Sequence, residues 1–384
     1  MAAINLIYSK EKKRMKQLQA GLTLAFTTAV LLLTAPAAFA LHPDERAEIE
    51  NLRQRMQALE SEQKEPAKKE EGISILDGKV RLSGLLELEG SYNRPRGGEG
   101  VSDLALATAQ LGVEASLNDH VGGHIILLHE EGEDQDLVVD EAVLSLQGAV
   151  AFLPGTFHLD GGRLYLPFGV FNSHLISDPL TLELGETSDT ALVASWSLEE
   201  RLSFKIGVFS GDTNVNGEDD SIDSWVVSLS GSPVDGITVG ASWISDLAES
   251  DHGLVTDASL DTGDVPGISA FFTVTHGIFT VEGEYVTAAK RFDDALVAVG
   301  EDLSGGRPRA WNLELAVAPA ERWEIALRLE GARDFLNDPN RYGAVVSYGL
   351  MDHAVIALEY MYTDQRAGEQ ESSNTVTAQL AVEF

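Results

Sequence analysis

Thr375-Val376-Thr377-Ala378-Gln379-Leu380-Ala381-Val382-Glu383-Phe384 alternates polar and apolar side chains and stops on an aromatic ring. A strand turns successive side chains to opposite faces. Val376, Ala378, Leu380, Val382 and Phe384 therefore share one face, and Thr377, Gln379 and Glu383 the other. Any half-buried strand would read this way, so the fold is decided by whether the rest of the chain repeats the pattern.

Sixteen segments repeat it. They fall at approximately 79–92, 103–117, 121–130, 137–147, 156–166, 190–198, 201–210, 222–230, 236–245, 267–276, 278–287, 309–318, 322–331, 341–350, 353–362 and 374–384. Their connections alternate between short turns, such as Glu199-Glu200, His276-Gly277 and Met351-Asp352, and long acidic or Gly-rich stretches, such as 246–266, 288–308 and 363–373. Short turns on one rim and long loops on the other predict an all-β fold, a transmembrane antiparallel β-barrel of about 16 strands. Closure leaves no strand edge unpaired, and in lipid each unpaired group costs several kcal/mol.

The aromatic residues give the sharper test. Trp196, Trp225, Trp243, Trp311 and Trp323 all fall on the apolar parity of their segments and close to a segment end, as do Tyr92, Tyr285, Tyr342, Tyr348, Tyr360 and Tyr362. A secreted β-sandwich would bury tryptophan near strand middles, whereas rings gathered at both rims form an interfacial girdle. The segments 121–130, 137–147 and 156–166 are less regular, because His129, Asp140 and Arg163 disturb either choice of parity. A face-switching bulge near Gly161-Gly162, or a wall sheltered at a subunit interface, would each account for this.

The front of the chain reads as a secretion signal over residues 1–40. Lys10, Lys12, Lys13, Arg14 and Lys16 precede an apolar run from Leu18 to Leu33, and Ala38-Phe39-Ala40 supplies a small-x-small cleavage pattern. A start at Met15 would give a more ordinary signal. The mature chain then begins at Leu41, with a periplasmic helical arm and linker over 41–78 and the barrel over 79–384. Ile49, Leu52, Met56 and Leu59 have a–d spacing, which fits a solvated arm or a short oligomerising coil. The apolar run from Leu18 to Leu33 is too short and too abruptly followed by charge for a membrane helix. No other segment offers about 20 consecutive apolar residues, so helical spanning is excluded. Removing residues 1–40 leaves 22 basic and 60 acidic residues, a net charge of −38. That charge argues against a nucleic-acid partner and attracts cations.

A barrel of about sixteen strands leaves an aqueous channel, whereas energy-coupled transporters have about 22 strands and a globular plug. The 38 residues from Leu41 to Gly78 are too few for such a plug, so passive diffusion is expected. Inward parity carries Arg81, Glu87, Glu89, Gln110, Glu114, Lys205, Glu282, Glu284, Asn312, Glu314, Glu324, Arg328 and Glu330. Taken singly, most are an ordinary wet lining; together, their carboxylate excess predicts cation preference. Arg81, Arg163, Lys205, Arg328, Arg307 and Arg309 are the residues from which a basic track would have to be built.

The stretch Pro167–Asp189 carries Phe168, Val170, Phe171, Leu175, Ile176, Leu180, Leu182 and Leu184, too much apolar surface for an open loop in water. An inward fold that narrows the channel is the favoured reading, with a cap over the outer mouth as the alternative. Asp178, Glu183, Glu186 and Asp189 would then charge the constriction. Asp212, Asn214, Asn216 and Asp223, with Gly217 between them, match a calcium-loop spacing in an extracellular loop, though position 12 is Asp rather than Glu and no helices flank it. An acidic hairpin loop gives the same spacing, and no other cofactor is expected. The nine histidines are scattered, and Ser173, His174 and Asp178 are the nearest approach to a hydrolytic trio, in no recognisable nucleophile setting.

The chain resembles the LbtU-type siderophore porins of Gram-negative bacteria over nearly all its mature length. The resemblance is carried by Val139-Asp140-Glu141-Ala142, Gly162–Gly169 (Gly-Arg-Leu-Tyr-Leu-Pro-Phe-Gly), and Ile176–Thr187 (Ile-Ser-Asp-Pro-Leu-Thr-Leu-Glu-Leu-Gly-Glu-Thr). Trp243–Ala248, Ala310–Ala316 and the closing Val376–Phe384 continue it. It implies an outer-membrane barrel that passes ferric siderophore without energy coupling. A strand ending on Phe384 also resembles the closing strand of bacterial outer-membrane barrels, which implies outer-membrane lipid and the barrel-assembly machinery as partners. An anionic ferric chelate would be repelled by this acidic lining, so passage of cations or other small solutes stays open, as does a structural or adhesive barrel. Monomer and homotrimer are equally compatible with the sequence.

Overall fold

The computed structural model describes residues 73–75, 79–131, 137–150, 153–199, 201–211, 222–254, 264–292, 306–367 and 372–384. The signal and most of the arm and linker expected from the sequence lie outside the described residues. A short strand, β1 (Ile73–Ile75), precedes β2 (Val80–Pro95), β3 (Val101–Asn118), β4 (Val121–Glu130), β5 (Val138–Val150) and β6 (Leu153–Tyr165). Next come helix α1 (Leu180–Gly185), β7 (Ser188–Leu198), β8 (Leu202–Phe209), β9 (Ser224–Val234) and β10 (Ile237–Ile244). The chain continues through β11 (Gly267–His276), β12 (Phe279–Ala288), β13 (Arg309–Ala320), β14 (Trp323–Arg333), β15 (Asn340–Met351), β16 (Ala354–Asp364) and β17 (Ser373–Glu383).

Each strand from β2 to β17 pairs antiparallel with its sequence neighbours, and β17 pairs with β2, setting Gln379 opposite Glu89 and Val382 opposite Leu86. The result is a closed sixteen-strand barrel. At the seam, Gly84 and Phe384 exchange backbone hydrogen bonds of 2.8 and 3.0 Å. The absence of a side chain on Gly84 leaves room for the Phe384 ring, since a Cβ would sit 2.3 Å from it and the ring would have to shift.

The polarity is inverted relative to a soluble sheet. On β13, Trp311 and Leu313 are 40% and 39% exposed while Asn312 and Glu314 between them are 5% and 1% exposed. On β14, Leu327 and Leu329 face out and Arg328 and Glu330 face in. The outer wall is a belt of Leu, Ile, Val and aromatic side chains that only an apolar surrounding would favour. Trp225, Trp243 and Trp311 ring the long-loop rim, Trp196 and Trp323 the short-turn rim, and Trp225–Trp243 and Trp323–Tyr348 touch with ring centroids 4.0 and 4.6 Å apart.

Two details correct the sequence reading. Ile73–Ile75 falls in the stretch assigned to the arm and linker, yet pairs as a strand with Val80–Leu82, as its alternating β-branched residues favour. Gly161 and Gly162 hold continuous register against Leu144 and Val143, so no bulge lies there. The extra residues are instead Asp140, skipped between Ile126–Glu141 and Leu127–Val139, and Ala107, skipped between Glu87–Thr108 and Leu88–Leu106. His129 and Arg163 do share the outward parity, but each lies within the last three residues of its strand on the long-loop side. There the membrane gives way to headgroups and water, and polar side chains are tolerated. Arg163 donates to Ser188 Oγ at 3.2 Å, and Tyr165 Oη to Asp140 at 2.8 Å.

Replacing the mid-strand, outward Leu327 by Arg is expected to cost ~2–4 kcal/mol of unfolding free energy in phospholipid bilayers. Denaturant unfolding in vesicles measures this, and an unchanged midpoint would mean that Leu327 does not face hydrocarbon.

Candidate functional site: the inward segment and the passage beside it

The connection from β6 to β7 turns into the barrel and crosses its interior. Pro179 sets the extended residue that starts α1, Leu180 and Leu184 bury one face of that single turn, and Glu186 returns to extended backbone. Leu166, Phe168, Leu180 and Leu184 join Leu247, Leu254, Val265, Phe292 and Phe335 from the later long loops in one buried core. The inward fold and a partial cap thus coexist, because the apolar side chains of the same segment meet the other loops at the mouth.

Polar wall residues suspend this segment. Gly169 N–H donates to Ser242 Oγ at 2.8 Å, and the consecutive N–H groups of Val170 and Phe171 donate to the two carboxylate oxygens of Glu284 at 3.0 and 2.9 Å. Phe171 takes a left-handed backbone (φ 55°), a conformation that concentrates neighbouring N–H groups on one anion. His174 N–H donates to Glu314 at 2.9 Å, Ile176 and Ser177 N–H to Glu359 at 2.6 and 3.0 Å, and Leu180 N–H to Glu330 at 2.8 Å. Carboxylates that accept several N–H groups recover much of the hydration they lose on burial. Beneath the tip, Leu175 and Ile176 rest on Ala316, Ala326, Val345, Ala357 and Met361. Gly343 completes that bed, since a Cβ there would lie 2.4 Å from Leu175.

The segment therefore occupies the β10–β16 side and leaves the β2–β5 side open. A cavity of about 680 Å³ separates its tip from the opposite wall, lined by the carboxylates of Glu87, Glu89, Asp103, Glu130, Glu131 and Asp178. No Lys or Arg lines it. A second cavity of about 470 Å³ lies nearer the short-turn rim, among Gln110, Glu114, His124, Glu141, Ser145 and Gln147.

The four expected constriction residues part company. Asp178 lines the larger cavity, and burial together with nearby Glu183 raises its pKa against the opposing pull of Arg328. Glu183 pairs with Arg341 at 2.8 Å. Glu186 caps α1 away from the cavity, its pKa pushed up to about 7 by burial and by Asp251. Asp189 belongs to β7, opposite Leu164. Among the wall residues, Glu87 and Glu89 accept from Gln379 at 3.2 and 2.9 Å, and Arg81 pairs with Glu114 at 3.2 Å. Lys205 stands exposed on β8 between Ser195 and Ser228. Glu282, Glu284, Glu314, Glu324, Arg328 and Glu330 hold the inward segment. With Arg328 fully buried and Arg163 turned outward, no continuous basic track forms among the described residues. Ser173 Oγ accepts from Arg328 while both His174 ring nitrogens face glutamates, so the hydrolytic trio is not assembled. Of the calcium-loop residues, Asp212, Asn214 and Asn216 lie outside the described residues, and Asp223 is exposed just before β9.

Sequence reasoning missed Glu359, although Leu358-Glu359-Tyr360 shows the same alternation that revealed Glu314. It also missed Asp103, because the bulge at Ala107 lets Asp103 and Thr108 face inward from opposite sequence parities.

No family model matches the chain. A UPF0422 protein of Coxiella burnetii is 27% identical over 251 residues, covering 62% of this chain and 52% of the relative. The UPF0422 protein lpl2888 of Legionella pneumophila is 22% identical over 369 residues, covering 79% and 66%. The chain thus spans about half to two thirds of the length of these curated relatives. Among solved structures it is similar to the outer-membrane channel DcaP of Acinetobacter baumannii, with TM-score 0.61, 12% identity, and coverage of 82% of this chain and 100% of that one. OprB of Pseudomonas putida gives TM-score 0.58 at 10% identity, covering 81% and 95%. Salmonella typhi OmpF, in complex with daunomycin, gives 0.57 at 12%, covering 81% and 100%. These likenesses establish the fold, a closed antiparallel β-barrel like those of the three channels.

His174 ties the segment to two strands, Nδ1 to Glu324 at 3.0 Å and Nε2 to Glu282 at 3.4 Å. The hydrogen bond to Glu282, with that to Glu324, holds its pKa up at about 9 against the opposing effect of burial. Since this lies above the unfolded value of ~6.5, the stabilisation is complete below that pH and lost as pH rises through about 9. Wild type is expected to exceed His174→Gln in denaturant stability at pH 6 and to lose that advantage by pH 10; a pH-independent difference would contradict the charged clamp.

Proposed function

We propose that this protein is an outer-membrane diffusion channel, not an enzyme, which passes small solutes and favours cations. The observation that carries this reading is the cavity between the inward segment and the β2–β4 wall, with six carboxylates and no Lys or Arg among its lining residues. Such a lining lowers the energy of a cation along the path and raises that of an anion. Outer-membrane lipid covers the apolar belt, and the short-turn rim faces the periplasm. The fold supports the reading, since barrels of this size leave an aqueous channel.

The siderophore cargo implied by the sequence resemblance is narrowed by the same lining. A neutral or cationic ferric chelate fits it, whereas a fully deprotonated carboxylate chelate would be repelled. A purely structural or adhesive barrel would need no such charged passage beside a tethered segment.

Purified protein in planar bilayers is expected to conduct, with a reversal potential showing cation preference. A unit charge ~8 Å from a permeating ion in water contributes ~0.5 kcal/mol. Asp178→Asn removes that gain from a cation and an equal penalty from an anion, ~1 kcal/mol between them, and should lower the cation-to-anion permeability ratio about fivefold. A silent membrane would refute the channel, and an unchanged ratio would remove Asp178 from the conducting path.

A further inference from the structure

Ser177, the residue before Asp178, has every backbone and side-chain polar group committed. Its N–H donates to Glu359 Oε2 at 3.0 Å and its hydroxyl to Glu359 Oε1 at 2.7 Å, while its carbonyl accepts from Arg328 at 2.8 Å. Ile176 N–H adds a 2.6 Å bond to the same Glu359 oxygen. Glu359 and Arg328 come from β16 and β14, are 2% and 0% exposed, and are absent from the lining of the cavity at Asp178.

Burying two ionised groups is expensive, and apolar residues of similar volume would often stabilise the interior as well or better. The neighbouring contacts of Leu175 and Ile176 with small wall residues are non-directional and would let the tip slide. The charged bonds are directional, and they fix the peptide plane that leads into Asp178. We infer that Glu359 and Arg328 are positioning residues for the passage: acting through Ser177, they set where Asp178 stands, and hence the width and ion preference of the opening. This rests on the channel reading and deepens it, by placing a determinant of selectivity outside the pore.

The test uses E359Q, D178N and the double variant in the full chain, compared with wild type in planar bilayers. An amide at 359 keeps the shape but replaces the oxygen that accepts the Ser177 hydroxyl with a donor, and removes the charge that strengthens the bonds from the Ile176 and Ser177 N–H groups. E359Q is expected to raise the size limit for polyethylene glycols entering the channel, and to lower the cation-to-anion ratio about as far as D178N does. In the D178N background, E359Q should still raise the size limit but add no further change in ion preference, because effects routed through one residue are not additive. An unchanged size limit in E359Q, or a selectivity effect that adds in full to that of D178N, would overturn the inference; the latter would mean that Glu359 acts by its own charge. Should E359Q not fold, Ser177→Ala removes only the hydroxyl's bonds to Glu359 and Arg328 and leaves the backbone bonds, and the same pair of readouts applies with a smaller shift expected. A wild-type protein that does not conduct sinks the channel reading itself. A conducting channel sensitive to Asp178 but indifferent to E359Q and Ser177→Ala sinks this inference alone.

Discussion

Hydrocarbon offers no hydrogen bonds, so each backbone N–H and C=O in the belt must be paired within the protein. The register from β2 round to β17 and back to β2 meets that demand without leaving an edge. Closure has a second effect. Once the outer face must be apolar, alternation sends the polar half of every strand inward, and the interior fills with carboxylates. Glu282, Glu284, Glu314, Glu330 and Glu359 are there because Leu313, Leu327, Leu329 and Leu358 had to face the other way.

Carboxylates indoors need partners, and the segment between β6 and β7 supplies them. Its N–H groups, left without a strand to pair with, meet acceptors that have lost their water, and each satisfies the other. Arg328, Arg341 and His174 compensate the charge that backbone donors alone would leave. The crossing is one-sided because the alanines and Gly343 that make room for Leu175 and Ile176 lie on β13–β16, whereas β2–β4 carry Glu87, Glu89, Asp103 and Glu130. Those carboxylates stay in contact with solvent and give the passage its character.

Much of this was legible in the sequence. Period-two alternation located all sixteen barrel strands, and β4 and β11 were placed at their observed bounds, because a lipid-facing wall leaves little freedom in which side chains alternate. The apolar content of Pro167–Asp189 led to the inward fold by the same hydrophobic reasoning. What escaped were the features that depend on pairing across strands. One unpaired residue at Ala107 reverses parity and brings Asp103 inside, and Asp140 does the same on β5, so counting along a single strand misassigns both. The four expected constriction charges separate for a related reason: Glu183 and Asp178 are five residues apart, but α1 turns the first toward Arg341 and leaves the second at the cavity.

The chain contains no cysteine, so single cysteines can be placed without background. The most direct measurement of a one-sided passage is the single-channel current before and after a cationic, membrane-impermeant thiol reagent. A cysteine at Thr108, on the wall facing Asp178, should react and reduce the current, while one at Ala326, beneath Leu175, should stay unmodified with the current unchanged. Block from Ala326 with none from Thr108 would mean that solutes run where the inward segment lies, and would contradict the account.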